Sequence, residues 1–191
     1  AFLLPPSSQE SDGFLIPFSD TPIDQEEITK NIYLSMIFSA KKTIRVTTPY
    51  LIIDPEFRHA LRLASKSGIQ VNIIIPAIPD KKMIYMVTKS NLPSLMKDGV
   101  NIYVYSPGFI HSKMMIIDDE RAMIGTANLD YRSLYLHFEN SVYIEKSSTI
   151  QTMRCHFETI QTQSRLLTEK DKDPILYRAI QAILRLFASL M

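Results

Sequence analysis

Six residues at fixed spacing carry the chemical potential of this chain: His111, Lys113, Asp118, Gly125, Thr126 and Asn128, which read as H-x-K-x4-D-x6-G-T-x-N. Imidazole can attack phosphorus or shuttle a proton near neutral pH. An ammonium and neutral donors stabilise charge on the equatorial oxygens, and losing one such donor typically costs roughly 3 kcal/mol of transition-state stabilisation. His111, Lys113, Thr126 and Asn128 together therefore describe a phosphate cradle. The chain holds one such set, because His59, His137 and His156 are followed two places on by Leu61, Glu139 and Glu158. Taken singly these residues are ordinary. A histidine beside a strand is usually structural, and Asp118 reads as a turn residue whose side chain bonds nearby backbone. Joint occurrence at this spacing is what points to catalysis.

The elements around the set must bring it together. Ile110 to Ile117 reads as a buried strand, and its period of two puts His111 and Lys113 on one face. Asp118 to Arg121 reads as a hairpin turn, and Arg121 to Ile124 as the returning strand that delivers Gly125, Thr126 and Asn128 beside them. Gly125 allows close backbone approach. An attacking imidazole needs a partner on its other nitrogen, and Glu139, just before the next strand, is the candidate. Cys155-His156 lacks any tetrahedral ligand spacing, and reads as a buried thiol on a helix rather than a metal site.

The set closely resembles the HKD motif of the phospholipase D superfamily. Its flanks, Gly125-Thr-Ala-Asn-Leu-Asp-Tyr-Arg-Ser133 and His137-Phe-Glu139, are most similar to the second HKD motif of bacterial cardiolipin synthases. Thr47-Thr-Pro-Tyr50 and Pro107-Gly-Phe-Ile-His111 are similar too, and the resemblance spans roughly residues 28 to 167. It implies a phosphohistidine mechanism with no metal and no cofactor. Lys113, Thr126 and Asn128 would bind phosphate, Glu139 would orient His111, and Asp118 would be more structural than catalytic. The implied reaction joins two phosphatidylglycerols into cardiolipin and releases glycerol, among anionic lipids on the cytoplasmic side of the bacterial cell membrane. Family members build one site from two HKD motifs, and this chain carries one. Its expected partner is the N-terminal HKD half of the same polypeptide, or else a second copy, as in single-motif phosphodiesterases and nucleases. A half alone is expected to be inactive.

Composition limits the alternatives. The chain has 191 residues, 46% of them apolar, enough for one domain with a real core. A net charge of +1 gives no support to a nucleic-acid partner. Nine Met and one Cys suit a reducing compartment. No secretory leader and no charge-free apolar run of membrane-spanning length stand out in the sequence.

Along the chain, residues 1–23 read as a linker or irregular lead-in, residues 24–168 as the phospholipase D-like catalytic domain, and residues 169–191 as a C-terminal amphipathic helix. Asp24 is a candidate cap for the first helix. Asp54-Pro55 starts a second, with Phe57, Leu61 and Ala64 inward and Gly68 as its stop. Two short helical passages are expected from Lys81 and from Asn91. Ser148 is a candidate cap for a helix burying Ile150, Met153, Phe157 and Ile160. Strands alternating with helices predict an α/β fold, a mixed, largely parallel sheet sandwiched by helices. In the tail, Arg178, Gln181, Arg185 and Ser189 form one polar stripe beside a wide apolar face, which suits either a helix lying in a membrane interface or a terminal helix docked on the protein's own core. The amphipathic tails of cardiolipin synthases tip the reading toward the membrane.

Overall fold

Alternation along Met114–Ile117 decides the layering. Met115 and Ile117 enter one hydrophobic cluster, while Met114 and Ile116 enter a second, as the two-residue period of a strand requires. The fold is a computed structural model that describes residues 12–24, 26–171 and 173–185. In chain order its elements are β1 (Phe14–Asp20), α1 (Ile28–Ser39), β2 (Thr43–Thr47), β3 (Leu51–Ile52), α2 (Pro55–Lys66), β4 (Gln70–Pro76), α3 (Lys82–Lys97), β5 (Asn101–Tyr105), β6 (Met114–Ile117), β7 (Arg121–Gly125), β8 (Leu129–Asp130), α4 (Tyr131–Tyr135), β9 (Glu139–Glu145), α5 (Thr149–Thr162), β10 (Ser164–Leu166) and α6 (Ile175–Arg185).

Eight strands form one sheet in the order β1-β9-β7-β6-β2-β4-β5-β10, and β3 pairs with β8 apart from it. Side chains from α1, α2 and α3 fill the larger cluster on one face. The α5 residues Ile150, Met153, Phe157 and Ile160 cover the other, as their spacing predicts. The mixed α/β sandwich is therefore as expected, but the balance of strand directions is not. Only β2-β4 and β4-β5 run parallel in the large sheet, against five antiparallel pairings among the described residues. The difference arises from the β6-β7 hairpin, the return strand β9, and the two edge strands β1 and β10, which both pair antiparallel with their neighbours.

One of those edges lies inside the expected lead-in: Phe14–Asp20 pairs with β9 along its whole length, whereas residues 1–11 lie outside the described set. Asp24 does not cap α1, whose N-cap position is Glu27. Asp20 does related work, its Oδ2 accepting from the Thr29 N–H at 2.8 Å. The α2 boundaries match expectation. Asp54 Oδ1 accepts from the Phe57 N–H at 2.6 Å, and Gly68 ends the helix at φ +88°. The two passages expected after Lys81 are one helix, continuous through Pro93. Ser148 is not a side-chain cap; its hydroxyl bonds Asp12 instead. Cys155 is exposed on α5 rather than buried.

The tail helix docks on α3. Gln181, expected on a water-facing stripe, is buried and donates to Asp173 at 2.7 Å, while Lys89 pairs with the same carboxylate at 2.6 Å. Tyr177, Ile180 and Ile183 remain exposed. Ser189, expected on that stripe, falls outside the described residues. Among those residues, no helix is long and apolar enough to cross a membrane.

Candidate phosphoryl-transfer site

Register sets where the chemistry collects. Thr47 lies opposite Met114, Met114 opposite Ile124, Gly125 opposite Ser141, and Asp20 opposite Glu139. On the other side, Thr47 lies opposite Ile74 and Pro76 opposite Tyr105. The segments 48–54, 77–81, 106–113 and 126–138 therefore emerge at one end of the sheet. His111, Lys113, Thr126, Asn128 and Glu139 all sit at that end.

His111 and Lys113 lie just before β6 rather than within it, although the ladder continues through a Gly125 N–H to Lys113 O bond of 3.2 Å. Lys113 is buried at 6% exposure and donates to the His111 carbonyl at 2.6 Å. Burial pushes its ammonium below the ordinary lysine pKa, while Glu139, Asp130 and Asp80 pull the other way. The His111 ring is exposed and lies against Phe109, with centroids 5.7 Å apart. The Thr47 and Ser112 hydroxyls share a hydrogen bond of 2.8 Å beneath them.

The neutral donors are occupied. The Thr126 hydroxyl donates to Glu139 Oε2, and accepts from the Asn140 N–H at 3.0 Å. Asn128 hydrogen-bonds the Asp130 carboxylate, which burial pushes up despite bonds from Ser133 and Asn128. The Asn128 amide oxygen is buried with no partner among the described residues. Glu139, assigned from sequence to His111, is engaged by Thr126, and its Oε1 lies 3.7 Å from His137 Nδ1. Gly125 is needed for packing against β9 rather than to admit a ligand. A Cβ there would meet Ser141 Oγ at 2.1 Å and Asn140 O at 2.5 Å.

Asp118 stands apart, at the far end of β6, roughly 16 Å of strand from Lys113. Its carboxylate accepts from the backbone N–H groups of Lys41, Lys42 and Thr43 at 2.7, 2.8 and 2.7 Å. It ties the hairpin turn to the start of β2, a structural part in keeping with the expectation that Asp118 is more structural than catalytic. Three site groups were missed from sequence: Asp80, which accepts from the Tyr50 hydroxyl, Asp130, and His137. Asp130 stands two places after Asn128 and is the cap of α4, accepting from Ser133 N–H at 2.8 Å. That Asp-x-x-Ser spacing was the available signal.

A family model described as cardiolipin synthase, PLD-like domain matches residues 33–161. The chain belongs to that family. It is 42% identical over 161 residues to cardiolipin synthase 1 of Staphylococcus epidermidis, covering 83% of this chain and 33% of the relative. The chain spans about a third of the length of the cardiolipin synthases it matches. Solved structures show the same fold. A phospholipase D family member, Nuc from Salmonella typhimurium, aligns with a TM-score of 0.69 at 22% identity over 82% of this chain and 99% of that one. Phosphatidylserine synthase from Haemophilus influenzae aligns at 0.73 and 16% identity over 93% of this chain and 48% of that one.

Proposed function

We propose that this chain supplies one catalytic half of a cardiolipin synthase, moving a phosphatidyl group from one phosphatidylglycerol to the free hydroxyl of another. The observation that carries the reading is the β6-β7 hairpin, where the Gly125 N–H to Lys113 O bond joins the end of segment 111–113 to the start of segment 125–128, near the buried Glu139. It supports the reading because an imidazole, an ammonium and neutral polar groups share one end of the sheet.

A ring nitrogen of His111 attacks phosphorus, and the bond from phosphorus to the glycerol oxygen breaks. That oxygen takes a proton from the histidine of the second motif. The hydroxyl of the next phosphatidylglycerol returns a proton to that group as its oxygen displaces His111. Two phosphatidylglycerols enter, and cardiolipin and glycerol leave. With roles exchanged, the second motif supplies the nucleophile and His111 the proton. Lys113 holds a phosphate oxygen. Phosphate binding draws the Thr126 hydroxyl away from Glu139, freeing that carboxylate to accept the His111 ring N–H and fix its tautomer. In the full-length protein, His111→Asn abolishes cardiolipin formation; synthesis retained at the parent rate would refute the assignment.

A second reading is favoured by coverage of 99% of the Nuc chain. Two copies of this chain would pair to complete a phosphodiesterase. Light scattering on the isolated chain separates the two, because a monomer without hydrolytic activity removes this one.

A further inference from the structure

Large apolar side chains stand exposed on both flanks of the cradle. At the site end, Ile78, Met83, Leu136 and Phe138 are 57, 57, 56 and 69% exposed, and Phe109 is 38% exposed beside His111. Ile78 and Met83 follow β4 on one flank of the cradle. Leu136 and Phe138 precede β9 on the other. Exposed Lys81 and Lys82 accompany the first lip, and exposed Arg132 the second. Exposed apolar side chains toward the opposite end, Phe14, Phe38 and Leu63, are scattered over β1, α1 and α2 and do not flank a polar cradle.

We infer that these two lips enter the surface of an anionic bilayer, so that the sheet stands with its site end against the lipid headgroups. Exposed apolar residues rimmed by cations fit such a surface, where apolar burial and attraction to anionic lipid add. The half that completes the cradle has to leave a face of it open to substrate, between the two lips. A bilayer presents phosphates to it. The inference rests on the lipid-transfer reading for the substrate's class, but its test does not depend on catalysis.

The chain contains no Trp, so Phe138→Trp gives a single emitter on one lip and Leu63→Trp, at an exposed position of α2, a reference. With vesicles of phosphatidylglycerol and phosphatidylcholine, emission from the first shifts to the blue and is quenched by brominated acyl chains, while the second is unchanged. The variant I78S/M83S/L136S/F138S, with an unaltered circular dichroism spectrum, sediments with these vesicles at least about tenfold more weakly than the parent chain. I180S/I183S, on the exposed face of α6, sediments as the parent does. Unshifted Phe138→Trp emission on vesicle-bound chain overturns the inference, as does loss of binding in the α6 variant alone. Blue-shifted emission without vesicles, accompanied by dimerisation, also overturns it, because the lips would then belong to a contact between copies. If cardiolipin synthesis survives His111→Asn while the lips still insert, the catalytic reading fails and this inference stands.

Discussion

Asp118→Ala separates structural from catalytic work in the motif. The wild-type carboxylate receives three backbone N–H bonds, from Lys41, Lys42 and Thr43. A bond to a charged group is worth about 1.5–3 kcal/mol net, but Lys41 and Lys42 are exposed. Water replaces part of what is lost, which leaves about 1 kcal/mol for each bond. Asp118 also sits at φ +54°, where alanine lacks the local side-chain bonding that makes the left-handed region tolerable, at a further cost of about 1 kcal/mol. The total is about 3–4 kcal/mol, a fall in Tm of roughly 10 °C for a domain of this size. Differential scanning calorimetry measures it, and a cardiolipin assay on the full-length variant well below its Tm should return nearly parental turnover. An unchanged Tm with activity lost would refute the structural role. The same carboxyl sets an acid limb. Burial pushes its pKa up, but the Thr43, Lys41 and Lys42 bonds outweigh this and hold it below the ordinary 3.8. Its contribution is therefore complete above that value and lost as pH falls through the lower, folded one. Urea midpoints of Asp118→Asn should fall less steeply below pH 3.8 than those of the parent.

Gly125→Ala forces a Cβ against Asn140 O at 2.5 Å and Ser141 Cα at 2.8 Å. It should destabilise by about 2 kcal/mol or more through strain at the β7-β9 pairing, read as a lower urea midpoint; a parental midpoint would show that β9 moves away freely. Glu139→Gln removes the charge of the carboxylate that accepts the Thr126 hydroxyl and is the proposed His111 partner, and should lower kcat by at least about 100-fold with KM little changed. A raised KM alone would make Glu139 a binding group instead. The isolated 191-residue chain should bind inorganic phosphate no tighter than about 10 mM by calorimetry; tighter binding would show that the half suffices.

Much of the site was legible because it is local. His111, Lys113, Thr126 and Asn128 lie within one hairpin, and a period of two together with Asp118-Asp119 in a turn fixes their side of the sheet. Likewise, α2 followed from Asp54-Pro55 and Gly68, each of which acts within its own turn. What escaped depends on distant partners. β1 carries Pro17 and no clean alternation, and is held only because β9 offers it a ladder 120-odd residues away. Strand direction in the sheet follows from the same long-range pairing. The Tyr50–Asp80 bond joins loops after β2 and β4 that meet only when those strands lie side by side. The tail's polar stripe was read as facing water. Gln181 is instead buried, because Asp173 and Lys89 give its amide a polar environment against α3.

If one motif is half a site, as proposed, the charge around Lys113 supplies a physical reason. Three carboxylates, Glu139, Asp130 and Asp80, act on this single buried ammonium, and the Thr126 and Asn128 side chains are already bonded to two of them. At the base of the cradle a phosphate meets Lys113 amid several acids, and must displace internal hydrogen bonds to gain new ones. Acidic groups suit a site that has to orient imidazoles, but they oppose binding of an anion unless further positive charge faces them. A second H-x-K set, from another half or another copy, brings a second ammonium and a second imidazole to the same spot. The acids then become orienting groups for two histidines rather than a barrier to one phosphate. Under the proposed pairing, the second half would therefore serve substrate binding, and not only the supply of a second proton carrier.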